Sequence, residues 1–218
     1  MDLKEAIRQR HSVRKYTEDP ISGEALAALR QEVGQCNAES GLHIQLITDE
    51  PEAFNTALAH YGRFAGVRNY FALIGSKAPD FEERCGYYGE RLVLLAETLG
   101  LGTCWVGLTY KKVPAVLDIR EGEKLECVIS VGYPAETPKR HKRKAYADVT
   151  PEREAPQWFR DGVEAALQAP TAINQQKFKI WLEGGEPRFK AGWGPYSKVD
   201  LGIVKYHFEV GSGHQVLK

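Results

Sequence analysis

No surplus of charge runs through this sequence: 29 Lys and Arg face 29 Asp and Glu, for a formal net charge of +0 over 218 residues. A neutral chain has no global field with which to collect a nucleic-acid backbone or an anionic membrane, so neither is expected as a partner. Also missing is any apolar run near the roughly 18 residues that span a bilayer, and the N-terminus shows no secretory apolar segment. The four cysteines, Cys36, Cys85, Cys104 and Cys127, form no C-x-x-C pair, so neither a zinc ribbon nor a disulfide framework is suggested. A reducing, cytoplasmic compartment is expected. The six histidines, His11, His43, His60, His141, His207 and His214, make no H-E-x-x-H or similar spacing, and no metal site is expected.

With 43% hydrophobic and 27% charged residues, the chain has the composition of an ordinary globular protein. Its length suffices for one domain or two closely packed halves. Close to the start stands Arg10-His11-Ser12-Val13-Arg14-Lys15-Tyr16. A short amphipathic helix precedes it, with Leu3, Ala6 and Ile7 on one face. If that helix stops near Arg10 and the backbone extends, Arg10, Ser12 and Arg14 project to one side, because side chains in extended chain repeat every two residues. Two guanidiniums and a hydroxyl suit a phosphate, since the guanidinium forks match its oxygens. By itself the run reads more readily as a solvated basic face.

Farther along, helical periodicity runs through Leu26 and Leu29 to Val33, and Leu42, Ile44 and Leu46 alternate as in a half-buried strand. A helix is expected around Glu52 to His60, and a buried strand at Tyr70 to Ile74. Gly86 to Gly102 is the strongest helical pattern, apolar around much of its circumference, and is the expected central core helix. Thr103 to Gly107 reads as extended, Lys111 to Asp118 as a small helix and Cys127 to Gly132 as a strand. Gly100-x-Gly102 is no dinucleotide fingerprint, because it closes a helix instead of following a strand. The cluster Lys139-Arg140-His141-Lys142-Arg143-Lys144 is either a solvated loop or a second contribution to an anion site. Beyond Thr150, a helix from Trp158 to Gln168 leads to the loop Ala169-Pro170-Thr171-Ala172-Ile173-Asn174-Gln175-Gln176. A strand at Phe178 to Leu182, a Gly184-Gly185 turn and a helix from Val199 to Val210 follow.

The two parts read as degenerate copies of one unit, 1–149 and 150–218. A helix followed by Cys36-Asn37 and the strand at Leu42 to Ile47 has its counterpart in a helix, Ile173-Asn174 and the strand at Phe178 to Leu182. The helix around Tyr88-Gly89-Glu90 is matched by Asp200-Leu201-Gly202-Ile203.

Five pieces together resemble the FMN-dependent nitroreductase family. They are the Arg10 to Tyr16 run, Gly100-Leu101-Gly102-Thr103-Cys104-Trp105-Val106-Gly107, Gly132-Tyr133-Pro134, Arg143-Lys144 and the Ala169 to Gln176 loop. The resemblance implies an α+β fold, mostly antiparallel sheet flanked by helices around a central core helix. Ordinary members carry the arginine run and the A-P-S-x-x-N-x-Q-P-W run close together and bind flavin between the subunits of a homodimer. Here the second run lies in the second half, so the chain resembles the variety in which one polypeptide, a monomer, mimics that dimer and binds one FMN in cis.

Carried over by position, the resemblance implies that Arg10, Ser12 and Arg143 hold the FMN phosphate, with His11 and Arg14 along the ribityl chain and pyrimidine edge. Pro170, Thr171 and Asn174 would meet the ring, the backbone of Trp105, Val106 and Gly107 would lie near flavin N5, and Asn69 would serve the polar edge. Thr171 replaces the usual serine, and Lys177 and Phe178 replace the usual proline and tryptophan. The implied activity is electron transfer from NADH or NADPH to a small-molecule acceptor, a nitroaromatic or quinone, by a ping-pong cycle. It needs no side-chain acid, base or nucleophile. The rival readings are a flavin-binding sensor or carrier without turnover, and a phosphate-ligand binder unrelated to flavin.

Overall fold

The computed structural model describes residues 1–136 and 142–216, so Lys139, Arg140 and His141 of the basic cluster lie outside the described residues. In chain order the elements are α1 (Leu3–Gln9), α2 (Gly23–Ser40), β1 (Gln45–Ile47), α3 (Ala57–Tyr61), β2 (Asn69–Ser76), α4 (Phe81–Thr98), β3 (Gly102–Val106) and β4 (Glu123–Gly132). Then come α5 (Tyr146–Val149), α6 (Gln157–Ala166), a 3-10 turn (Ala172–Asn174), β5 (Phe178–Glu183), β6 (Glu186–Ala191) and α7 (Ser197–Ser212). The fold is α+β with antiparallel strand pairing throughout both sheets. It divides into two compact units, Met1–Gln9 with Glu82–Arg91 and Arg140–Lys218, and Arg10–Phe81 with Leu92–Lys139. No helix among the described residues is long and apolar enough to cross a membrane.

The second of these units is built on a four-stranded sheet in the order β1-β2-β4-β3. Tyr70 to Ile74 on β2 and Val128 to Val131 on β4 are buried, which accounts for their nearly unbroken apolar sequence. Strand β1 starts at Gln45 instead of Leu42, for a local reason. The Asn37 amide takes both main-chain groups of Ile44, accepting its N–H at 2.7 Å and donating to its carbonyl at 2.9 Å. That leaves Ile44 nothing for a sheet ladder.

Two expected helices are shorter or missing. The segment from Glu52 yields α3 only at Ala57, where Thr56 Oγ1 caps the Ala59 N–H at 3.1 Å. Lys111 to Asp118 holds only a turn at residues 114–116. Pro114 disfavours helical geometry at Val113, while Val113 and Leu117 satisfy their apolar character by packing on the core of this unit.

In the other unit, α6, α7 and residues 82–91 of α4 form the frame. Two glycines let α4 and α7 cross closely. A Cβ on Gly86 would stand 2.0 Å from the Val199 carbonyl oxygen, and a Cβ on Gly202 would stand 2.0 Å from that of Glu83. At this crossing Gly202 faces Gly86, whose added Cβ would lie 3.1 Å from the Gly202 Cα. On α6, Gly162 gives Phe208 its place, since a Cβ there would lie 2.6 Å from the ring. Strand β6, not among the expected elements, alternates exposed Glu186, Arg188 and Lys190 with half-buried Pro187, Phe189 and Ala191. It forms because Gly184 and Gly185, with φ of 63° and 84°, turn β5 back on itself.

Candidate functional site

Helix α1 ends at Gln9, and the chain from Arg10 onward is extended, as the sequence suggests. Ser12 forms a parallel bridge with Thr103 of β3, and the Val13 N–H donates to the Thr103 carbonyl at 2.8 Å. The run therefore lies along the outer edge of β3. Glycine makes the approach possible, since a Cβ on Gly102 would fall 2.5 Å from Val13 Cγ2. The run's far end is fastened by Tyr16. Its N–H donates to the Ala65 carbonyl at 3.0 Å, and its buried hydroxyl donates to the Val13 carbonyl at 2.6 Å beside Ser130 Oγ at 2.8 Å.

Val13 and Tyr16 point into the core while Arg10, Ser12 and Arg14 are half-buried. Beside the run lies the buried thiol of Cys104, which packs with Val13 and Tyr16 in the core. Burial pushes that thiol up, and Arg14, Arg10 and a hydrogen bond with Ser12 pull it the other way. The net direction is upward, so Cys104 stays a protonated floor to the cluster and is no thiolate nucleophile. Arg14 is steadied by Phe64, whose ring centroid lies 5.9 Å from its Cζ. Near Arg10 sits Glu97 of α4, whose carboxyl is raised by burial and lowered by that guanidinium. Two cations and a hydroxyl gathered on one side, with one partly buried carboxyl nearby, can hold a phosphate group.

Loop Ala169 to Gln176 belongs to the other unit and is held mainly by side chains. Thr171 Oγ1 accepts the Gln176 N–H at 3.0 Å. The Asn174 Nδ2 donates to the Lys142 carbonyl at 3.0 Å, and its Oδ1 accepts from Gln176 Nε2 at 3.1 Å. Gln176 is buried, and its Oε1 and carbonyl accept the N–H and Nζ of Lys144 at 2.8 and 2.7 Å. Ile173, Asn174 and Gln176 all have positive φ, at 48°, 54° and 45°. Clusters of left-handed residues that are not glycine store local strain, and they concentrate at functional sites.

Of the predicted residues, Arg10, His11, Ser12 and Arg14 lie together on the run, and Trp105, Val106 and Gly107 lie at the end of the strand beside it. Asn69 shares the register row Asn69–Val131–Thr103–Ser12. It is three strand spacings from Ser12, roughly 14 Å, and its Oδ1 accepts the Asp49 N–H at 3.1 Å. Arg143 is exposed and sits between Lys142 and Lys144, both bonded to the loop, in the same unit as Pro170, Thr171 and Asn174. Sequence reasoning missed Glu97, Gln176 and Asp200. Asp200, buried beneath the loop, accepts the Ala172 N–H at 2.9 Å. In the sequence it reads only as an acidic residue in the first turn of a helix.

Comparison with known proteins adds the following. A family model described as "Putative TM nitroreductase" matches residues 2–212. No curated protein matches by sequence. A crystal structure of a putative nitroreductase from Thermotoga maritima is similar with a TM-score of 0.70 and 24% identity, covering 97% of this chain and 83% of its own. A putative nitroreductase from Desulfovibrio desulfuricans, solved in complex with FMN, is similar with a TM-score of 0.56 and 20% identity, covering 72% of this chain and 99% of its own. Nitroreductase A from Vibrio parahaemolyticus gives a TM-score of 0.56 and 19% identity over 72% of this chain and 78% of its own. These likenesses establish the fold.

Proposed function

The chain belongs to the nitroreductase family whose model it matches over residues 2–212, and from that premise we propose that it is an FMN-dependent oxidoreductase. It takes electrons from NADH or NADPH and passes them to an electron-poor acceptor such as a nitroaromatic or quinone, donor and acceptor using the same space in turn. The observation that carries this reading is the place of Arg10, Ser12 and Arg14, half-buried on an extended run along the edge of β3. That donor set fits the phosphate end of FMN, the cofactor held by the similar Desulfovibrio protein.

When bound, FMN supplies the two-electron chemistry, and the protein binds and tunes it. Arg10 and Ser12 hold the phosphate, joined by Arg143. His11 and Arg14 serve the ribityl chain and the pyrimidine edge, where the Arg14 cation favours negative charge. Pro170, Thr171 and Asn174 serve the ring, the Trp105 to Gly107 backbone its reactive edge, and Asn69 its polar edge. No side chain of the chain is assigned as acid, base or nucleophile.

The chain is further read as two degenerate copies, 1–149 and 150–218, acting as a monomer that binds one FMN. Supporting this is the reciprocal crossing of α4 and α7, in which each glycine faces the carbonyl three residues before the other. Coverage points the same way, since the Desulfovibrio chain is matched over 99% of its length yet accounts for 72% of this one.

An absorbance spectrum of the purified protein, before and after NADH and then NADPH, tests the reading. A yellow protein bleached by either donor supports it. Yellow that persists under both leaves a flavin-binding protein without turnover. Absence of yellow after soaking with FMN favours a phosphate-ligand binder unrelated to flavin. Light scattering with flavin quantitation checks the single-chain stoichiometry, which two flavins per chain or an obligatory dimer would overturn.

A further inference from the structure

Asp200 stands in the first turn of α7, 4% exposed, and its carboxylate is aimed at the loop that ends in Gln176. Oδ1 accepts the Ala172 N–H at 2.9 Å and Oδ2 accepts Gln175 Nε2 at 2.7 Å. The same Nε2 donates to the Pro195 carbonyl at 2.8 Å, so both of its hydrogens are engaged. These bonds clamp the loop on either side of Ile173 and Asn174, two of its left-handed residues. A β-branched residue such as Ile173 adopts that conformation only where its surroundings impose it. Ile173 is 88% exposed, so its own side chain does not supply the restraint. Hydrogen bonds to an ionised carboxylate are roughly twice as strong as neutral ones.

We propose that Asp200 is the positioning residue of this loop: its carboxylate fixes Ala172 and Gln175 so that Pro170, Thr171 and Asn174 keep the conformation offered to the flavin ring. The proposal rests on the reading of this loop as the ring side of an FMN site. Burial pushes the Asp200 carboxyl up to about 6, against the opposing effect of the Ala172 and Gln175 bonds. Both groups facing it from the loop are neutral, and among the described residues no charged side chain contributes to its shift. On its own helix, Lys198 is turned to Glu82 at 3.4 Å.

The test measures amide hydrogen exchange of flavin-free wild type, Asp200→Asn and Asp200→Ala over residues 169–177, with β2 and β4 as internal reference, and FMN affinity by fluorescence titration. Loss of a charge-assisted hydrogen bond is worth about tenfold or more. Exchange at Ala172 and Gln176 should rise by about that factor in Asp200→Ala, and less in Asp200→Asn, whose carbonyl still serves Ala172. FMN affinity should fall in the same order. Unchanged loop exchange in both variants overturns the proposal. So does exchange that rises equally in β2 and β4, which would mark a general stability role, or loosened loop exchange with undiminished FMN affinity. A wild type that binds no FMN refutes the cofactor reading, and the proposal about the flavin ring falls with it, while the exchange experiment still decides whether Asp200 holds the loop.

Discussion

His207 Nε2 lies 2.8 Å from Glu90 Oε1 with both side chains fully buried, and His207 Nδ1 lies 3.1 Å from the Ala165 carbonyl oxygen. A carbonyl only accepts, so Nδ1 carries a hydrogen, and one further proton is shared between Nε2 and the carboxyl. Imidazolium with carboxylate and neutral ring with carboxylic acid both match the facing atoms. His207→Ala removes one partner and should cost about 3–5 kcal/mol, because a buried acid is left without its complement. Glu90→Gln should cost clearly less, since the amide can donate to the neutral ring. Urea unfolding of the two variants checks the order, and the reverse order would refute the shared proton.

The crossing at Gly86 and Gly202 is closed by backbone atoms, which cannot swing aside as a flexible side chain can. Gly86→Ala and Gly202→Ala should each destabilise by about 3 kcal/mol or more, at the upper end of overpacking effects. Gly34, exposed within α2 with nothing within 4 Å of a Cβ, is the contrast. Gly34→Ala should stabilise by roughly 0.5–1 kcal/mol. Equal effects at all three positions in thermal melts would contradict the close crossing.

Ile173 has φ of 48° while 88% exposed, so it has strain without burial to offset it. Ile173→Gly should raise stability by about 1 kcal/mol, the left-handed penalty of an L-residue less the chain entropy of glycine. A measured loss of stability would mean that the side chain is held by more than the described contacts.

Arg10→Ala should weaken FMN binding by roughly 1.5–3 kcal/mol, about 10- to 150-fold, the worth of a charge-assisted contact. Thr171→Ala should do less, because its hydroxyl already accepts the Gln176 N–H. Fluorescence titration of both variants gives the ratio; a larger effect at Thr171 would reverse the assignment of the phosphate end.

Asp200 also makes a prediction about overall stability, with a sign worked out from its raised pKa. The folded state keeps the proton up to about pH 6, whereas the unfolded chain loses it near 3.8. Between those values the folded state binds more proton, so the contribution of Asp200 to stability is present below pH 4 and is lost as pH rises towards 6. Comparing urea midpoints at pH 4.5 and 6.5 should show a smaller decline in Asp200→Asn than in wild type. An identical decline would place the titrating group elsewhere.

Much of the architecture was legible because hydrophobic periodicity is a local property. Tyr70 to Ile74, Cys127 to Gly132 and the α4 helix all declared themselves by their apolar patterns, and burial of those residues is the reason. The failures have causes that apolar periodicity does not carry. Asn37 occupies Ile44 and shortens β1, and Pro114 with the core contacts of Val113 and Leu117 replaces an expected helix. Strand β6 carries a charge at every other position, Glu186, Arg188 and Lys190, and exists through its pairing with β5.

The candidate site divides in the same way. The sequence by itself determined that Arg10, Ser12 and Arg14 share one side of an extended run, since that follows from a period of two, and that Thr171 and Asn174 stand in a proline-led loop. Only the tertiary structure decided that the run lies along β3, because bridges such as Ser12 to Thr103 join residues about ninety positions apart. It alone decided that the loop is held from beneath by Asp200. A carboxylate among Val199, Leu201 and Ile203 carries no local sign of what it will face, and its role is set by the donors that folding brings to it.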